Sequence, residues 1–367
     1  MEPHPDEWEG GGGHLTLLAM DGYPRLLSVA TALPAHRLDQ DDTLAAARAV
    51  FGGRMRDFER LAPVFANTGI ETRHAVMPLG WYMEPHGWRD RSAAFRDGAL
   101  ALLETAAAQA LARAGLAPGA VDAVVCATTT GIATPSLEAQ LLERMGFHPR
   151  TVRLPLFGLG CAGGVLGLAR AGDLARAMPG HTVLFLVVEL CTLACRTGEA
   201  TPTNVVASAL FADGAAAVLL RADGGGGPRL LAGAEHTWPG TRDVMGWRVE
   251  EDGFGVVFSQ DIPELIRGRM GPVLDGFLDG QGVARRDLAG LVCHPGGAKV
   301  LQALEEVFAP VSAGLDDAWA VLRACGNMSA ASVLFVLERR LAAGAAGLHV
   351  MSALGPGFTA GLALVEL

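Results

Sequence analysis

The chain has 367 residues, 50% hydrophobic and 19% charged, so it is too long for one small core and suits one large or two fused globular domains. A formal charge of −10 with no basic block excludes a general nucleic-acid binder. Lys299 is the only lysine, so arginine, whose planar fork suits phosphates, must meet most of any anionic ligand.

Residues 1–13, ending in the run Gly10 to Gly13, read as a disordered tail. Leu15–Met20 is too short for a signal core, and no stretch approaches a membrane span. Six cysteines lie far apart without zinc-type pairing, the pattern of reduced thiols, so a cytoplasmic location is expected. Leu26–Thr31 predicts a strand and Pro34–Arg37 a loop. Asp41–Val50, Arg54–Phe65 and Ser92–Ala114 predict helices. Ala123–Thr128 is an apolar strand, Ser136–Met145 a helix, and Val152–Leu156 a strand leading to a helix at Cys161. Thr182–Val188 and Ala215–Leu220 predict strands around a helix at Asn204–Leu210. The run Gly224–Gly227 with Pro228 is the expected hinge between residues 14–223 and residues 224–367. Beyond it the alternation restarts: helix Ile262–Leu278, strand Gly290–Cys293, helices Ala298–Phe308 and Ser329–Ala342, then strands Leu348–Leu354 and Leu362–Leu367. Continuous apolar strands in two successive halves predict a layered α/β architecture with buried sheets.

Three junctions carry polar chemistry. Cys161 lies in a glycine-flanked strand-to-helix turn, where unpaired N–H groups and the helix dipole favour thiolate. The other five cysteines read as small core residues. His294 follows an apolar run and precedes Gly296 and Gly297, which let a ligand approach the backbone. Asn327 either caps the following helix or donates its amide N–H beside the imidazole in an oxyanion hole. A thiol, an imidazole and an amide suggest one nucleophilic site.

The Cys161 turn, Cys293-His294-Pro295-Gly296-Gly297 and Gly326-Asn327-Met328-Ser329-Ala330 strongly resemble the chalcone synthase-like, type III polyketide synthases. Ala209-Leu210-Phe211-Ala212-Asp213-Gly214 and Gly355-Pro356-Gly357 resemble them too, and the likeness runs from about Leu26 to Leu367. The resemblance implies a thiolase-like αβαβα fold of two pseudo-equivalent halves, an obligate homodimer, and condensation of acyl-CoA with malonyl-CoA. It implies that Cys161 carries the acyl chain, that His294 pairs with the thiolate, and that His294 and Asn327 bind the malonyl thioester oxygen. CoA carries the reacting groups, so no metal or redox cofactor is expected. An acyl carrier protein is a further candidate donor of the starter.

The resemblance also assigns a substrate pocket. Phe211 matches an aromatic at the chamber mouth, and Val256 falls where plant members have a second one. Thr129, Cys191 and Ala194 match positions beside the cavity, while Thr134-Pro135 matches a loop reaching the partner's site. Gly296, Gly297, Ser329 and Pro356 join this set. Small, mostly apolar residues there suggest a long aliphatic starter, since each buried methylene contributes about 0.8 kcal/mol. The segments around Cys161 and Asp243–Trp247 look most like bacterial alkylresorcinol and alkylpyrone synthases. The rival readings are a malonyl-primed polyhydroxynaphthalene synthase, a ketoacyl-carrier-protein synthase III-like enzyme, and a non-catalytic acyl-binding protein. Pro295-Gly296-Gly297, where the ketoacyl synthases continue Gln-Ala-Asn, favours the polyketide branch. Arg54, Arg56 and Arg60 are the candidate CoA-phosphate contacts.

Overall fold

The structure is a computed structural model that describes residues 22–367 except 197, 310, 312 and 313. The expected tail at residues 1–13 therefore lies outside the described residues. Strand β1 (Arg25–Ala32) is followed by β2 (His36–Asp39), α1 (Gln40–Phe51), α2 (Phe58–Leu61), α3 (Val64–Asn67) and β3 (Thr72–Ala75). The expected loop at Pro34–Arg37 instead runs into β2, because His36 to Asp39 pair antiparallel with Thr72 to Ala75. Such a partner, far along the chain, leaves no local periodicity. The single helix expected over Arg54–Phe65 is broken before α3 by Pro63, which has no N–H to continue the ladder.

The first half continues through α4 (Trp88–Ala114), β4 (Ala123–Thr128), α5 (Leu137–Met145), β5 (Val152–Phe157), α6 (Gly163–Ala177), β6 (Val183–Leu190), α7 (Pro202–Leu210) and β7 (Asp213–Arg221). The second half holds β8 (Arg229–Thr237), β9 (Met245–Val249), β10 (Phe254–Phe258), α8 (Ile262–Asp279), β11 (Gly290–Cys293) and α9 (Ala298–Phe308). It closes with α10 (Asp316–Cys325), α11 (Ser332–Ala342), β12 (Leu348–Gly355) and β13 (Thr359–Glu366). Sequence patterning missed β8, β9, β10 and α10. In β8 only Leu230 is buried, and the strand carries a glycine and charges, so it lacks the apolar run of the central strands.

The main sheet has the order β11-β12-β13-β8-β1-β7-β6-β4-β5. Its two sides repeat one pattern. β4 is parallel to β6, which is antiparallel to β7, which is antiparallel to β1. Likewise β11 is parallel to β12, which is antiparallel to β13, which is antiparallel to β8. The two half-sheets meet only at the Arg25–Arg229 pair of β1 and β8.

Helices α6 and α11 fill the space between the half-sheets, and each packs against strands of both. α4 and α5 cover the outer face of the first half, while α8 and α9 belong to the core of the second. This is the layered αβαβα arrangement. All eight residues of β6 are buried, as expected of a strand covered on both faces. Val165, Leu166 and Leu168 of α6 are buried in this central layer. Truncating Leu168 to alanine there would cost about 2–5 kcal/mol. The middle layer brings the starts of α6 and α11 together, and those starts carry the polar junctions.

Candidate active site

The chain leaves β5 at Phe157 and reaches α6 through a tight turn over Gly160–Ala162. Gly160 has φ +49° and lies against the Pro356 ring, so a side chain there would be both strained and blocked. Its N–H donates to Thr129 Oγ1 at 2.9 Å, which ties the turn to the end of β4. Gly164, in the first turn of α6, lies against the Ala330 carbonyl, where a Cβ would collide. These two glycines let the Cys161 turn press against the segment that follows α10.

His294 leaves the end of β11. Its N–H donates to the Ser352 carbonyl at 2.8 Å, and its carbonyl accepts from the Gly296 N–H at 3.0 Å. The ring is 4% exposed, and neither imidazole nitrogen has a hydrogen-bond partner among the described residues. Asn327 does not cap α11. Its Nδ2 donates to the Gly296 carbonyl at 3.1 Å, and its Oδ1 accepts from the Ser329 N–H at 2.8 Å. Among the described residues, the second amide hydrogen of Asn327 has no partner. Ser329 sits at φ 47°, a conformation costly for a non-glycine residue.

Cys161, His294, Asn327 and Ser329 line one pocket. Phe211, Val256, Gly296 and Pro356 line the same pocket. Met245, Trp247, Phe258, Ile262, Val300 and Leu304 complete an apolar wall that sequence reasoning did not assign. Only assembly of β9 and β10 with α8 and α9 brings these six together. Thr129 lines an adjoining pocket that shares Met245, Gly246, Trp247, Val257 and Pro356 with the first.

Three of the expected pocket residues, Cys191, Ala194 and Gly297, lie elsewhere. Cys191 is buried behind the wall, packed with Ala207, Phe211 and Val256. Ala194 is 4% exposed at the end of the turn Cys191–Ala194 and lines no part of the chamber. Gly297 adopts φ +147° to start α9 rather than to line the cavity. Thr134 is exposed on the surface. Arg54, Arg56 and Arg60 are likewise exposed, and Arg54 Nη2 donates to the Gly198 carbonyl at 2.6 Å.

Electrostatics differ from the expected thiolate–imidazolium pair. Burial pushes the Cys161 thiol up to about 12; the Ser329 hydroxyl opposes this and Glu189 adds to it. Burial likewise holds His294 down at about 3. Desolvation disfavours the charged form of either group. Neutral imidazole offers one donor and one acceptor, and here both are free.

Glu189, the last-but-one residue of β6, was overlooked as a site residue. It accepts from Thr129 N at 3.0 Å, Thr130 Oγ1 at 2.8 Å and Ser329 Oγ at 3.4 Å. Burial raises its carboxyl to about 7, against those hydrogen bonds. A carboxylate closing an eight-residue apolar strand was the signal that could have found it. Among the described residues, no group of three His, Cys, Asp or Glu side chains is placed to hold a metal ion.

Comparison with known proteins places this geometry. The sequence matches the family "Chalcone and stilbene synthases, N-terminal domain" over residues 17–224 and its C-terminal domain over residues 229–365. It is 38% identical to a 1,3,6,8-tetrahydroxynaphthalene synthase of Streptomyces peucetius subsp. caesius, covering 95% of this chain and 94% of that protein. It is 34% identical to a putative chalcone synthase of Bacillus subtilis, covering 92% and 97% respectively. The solved structure of the Streptomyces coelicolor tetrahydroxynaphthalene synthase, described as a bacterial type III polyketide synthase, superposes with a TM-score of 0.86. That match has 28% identity and covers 93% of this chain and 99% of that one.

Proposed function

The chain belongs to the chalcone and stilbene synthase family, the acyl-condensing type III polyketide synthases with a thiolase-like fold, and we propose that it primes with an aliphatic acyl-CoA. Malonyl-CoA then extends the chain, and the product leaves as an alkylpyrone or alkylresorcinol. The observation that carries this reading is the chamber wall. Beyond Cys161, His294, Asn327 and Ser329, the side chains facing the substrate are almost all apolar, and Val256 leaves one side of the mouth narrow in bulk.

In this reading the Cys161 thiol attacks the starter thioester carbonyl while His294 accepts its proton. The carbon–sulfur bond to CoA breaks, and the proton passes to the departing CoA thiolate. His294 is again neutral. Its N–H and the uncommitted amide hydrogen of Asn327 then hold the malonyl thioester oxygen. Carbon dioxide leaves, and the two donors stabilise the enolate where charge develops. The enolate carbon attacks the acyl group, releasing Cys161, and the lengthened CoA thioester reloads it for the next round. The steps balance with CoA thioesters alone, so the reading needs no metal or redox group.

A homodimer and a cytoplasmic location belong to the same reading. All six cysteines are unpaired, and no described helix is long and apolar enough to cross a membrane. β5 ends the main sheet with its backbone edge open. Val152, Leu154 and Phe157 of that strand are 45%, 37% and 55% exposed, and nearby Ile132 is 59% exposed. An apolar open edge of this kind is a liability for a monomer and suits pairing with a second copy.

A second reading, the malonyl-primed polyhydroxynaphthalene synthase, is favoured by the 38% identical relative. Feeding the purified protein labelled malonyl-CoA with a panel of acyl-CoAs, and weighing the products, separates the two. Products carrying the acyl chain support the aliphatic primer. Consumption of malonyl-CoA alone, whatever acyl-CoA is present, overturns it in favour of the second reading.

A further inference from the structure

Strands β9 and β10 pair only with each other and stand apart from the main sheet. A lone pair of strands is marginally stable and takes its position from what it packs on. Yet Met245, Trp247, Val256 and Phe258, a large part of the apolar chamber wall, sit on this ribbon. How the ribbon is held therefore decides where that wall stands.

Its base is tied where the Ser259 N–H donates to the Val244 carbonyl at 2.8 Å. In its middle, the Trp247 ring lies 5.6 Å from the Phe211 ring, and Val256 packs with Cys191 and Ala207. Its tip turns over two arginines of the first half. Gly253 has φ +159°, and a Cβ there would sit 3.4 Å from Arg91 Cδ and 3.7 Å from Arg196 Cδ. The Arg196 side chain is 2% exposed, and its Nη1 donates to Asp252 Oδ1. Its Nη2 lies 2.6 Å from Glu250 Oε2 and 2.5 Å from Glu199 Oε1, as ion pairs without hydrogen-bond geometry. Trp88 Nε1 also donates to the Glu250 carbonyl, at 2.7 Å.

Arg196 follows the turn Cys191–Ala194 at the end of β6, and Arg91 grips that turn by donating to the Leu193 and Cys195 carbonyls. The cation thus belongs to the first half, while Glu250 and Asp252 belong to the ribbon of the second. Lifting the tip would leave a buried guanidinium short of its carboxylates, which is strongly unfavourable. Arg196 itself does not line the chamber.

We propose that Arg196 is a positioning residue that pins the tip of the β9–β10 ribbon, sets the width of the acyl chamber, and so governs which starters are accepted. Its action on the substrate passes through Trp247 and Val256. His294 and Asn327 ride on other elements, the end of β11 and the segment after α10, so the decarboxylating donors stay in place when the ribbon loosens. The inference does not depend on which starter the enzyme prefers, because every starter that reaches Cys161 meets this wall.

The test compares the full chain with Arg196→Met, which removes the charge from an unbranched side chain, and Arg196→Lys, which keeps the charge without the fork. Asp252→Asn cuts one ion pair at a half-exposed carboxylate and decides the matter if Arg196→Met does not fold. kcat and KM are measured across a panel of acyl-CoAs of different width, malonyl-CoA decarboxylation is followed alone, and hydrogen exchange is mapped along the chain. In Arg196→Met, KM for the preferred starter should rise and the ratio of kcat/KM between slim and bulky starters should shrink about tenfold, the discrimination that pocket shape supplies. Decarboxylation should stay at the parent rate, and amides of residues 245–258 should exchange faster while those of β6 do not. Arg196→Lys should restore part of the lost selectivity. Unchanged selectivity in the folded variants overturns the proposal, as does an equal loss for every starter and for decarboxylation, the mark of general destabilisation. The aliphatic-primer reading is decided by the preference of the parent and the clamp by the change in that preference, so each can fail without the other.

Discussion

Asn327 and Phe211 are tied together through their backbones. The Asn327 N–H donates to the Leu210 carbonyl at 3.0 Å, and the Ala212 N–H donates back to the Asn327 carbonyl at 2.9 Å. The Asn327 amide and the Phe211 ring, which line the same pocket, are thus set by one two-bond bridge between the halves of the chain. Because the bridge is main-chain, side chains at either position can be changed without cutting it.

That separation allows a clean split of roles. Asn327→Ala is expected to keep acyl loading on Cys161 while malonyl-CoA decarboxylation falls about 10²–10³-fold, the usual cost of removing one oxyanion donor. Cys161→Ala is expected to show the opposite pattern, with no acyl adduct by intact mass and decarboxylation retained. Decarboxylation at the parent rate in Asn327→Ala would remove that side chain from the mechanism.

Two buried groups should shape stability against pH with opposite signs. Burial raises Glu189 from 4.5 to about 7, so the stability it contributes is full below about 4.5 and is lost as pH rises through 7. His294 is lowered from 6.5 to about 3, so its contribution is full above 6.5 and is lost as pH falls toward 3. Glu189→Gln keeps the shape without the charge. Relative to the parent, it should gain roughly 3 kcal/mol between about pH 4.5 and 7, at about 1.4 kcal/mol per unit. Denaturant titrations across that range check it, and a constant difference between the two proteins counts against a buried ionisation at Glu189.

Starter choice should respond to Val256 and not to Ala194. Val256 faces the chamber, whereas Ala194 is packed away from it. Val256→Phe is expected to shift preference toward shorter or slimmer primers by about tenfold in kcat/KM, roughly the discrimination of one or two methylenes. Ala194→Leu should instead lower stability by about 1–3 kcal/mol through overpacking. Competition assays with mixed acyl-CoAs and thermal melts distinguish these outcomes.

Phe157→Glu places a charge at the C-terminal end of the exposed edge strand β5. If that edge joins two copies, the variant should run as a monomer by light scattering while the parent runs as a dimer. Equal masses for the two proteins would move the interface elsewhere.

Much of the site was legible before folding because its motifs are local. Glycine-flanked turns around Cys161, His294 and Asn327 are written in consecutive residues, and each marks a strand or helix junction. Glu189 and the wall formed by Met245, Trp247, Phe258, Ile262, Val300 and Leu304 were harder. They acquire a common direction only when separate elements pack.

The amino-acid sequence alone thus determined the layered α/β architecture and the three polar junctions at Cys161, His294 and Asn327 that meet in one pocket. Each depends on short-range patterning, apolar runs of strand length and turns that need glycine. Tertiary structure alone decided how the thiol and the imidazole are shifted, because desolvation comes from the surrounding packing and not from any residue type. It also decided that β2, β3 and β8 are strands, since their partners are distant in sequence. The pocket around Cys161 arises in the same way, from helices and strands far apart in the chain.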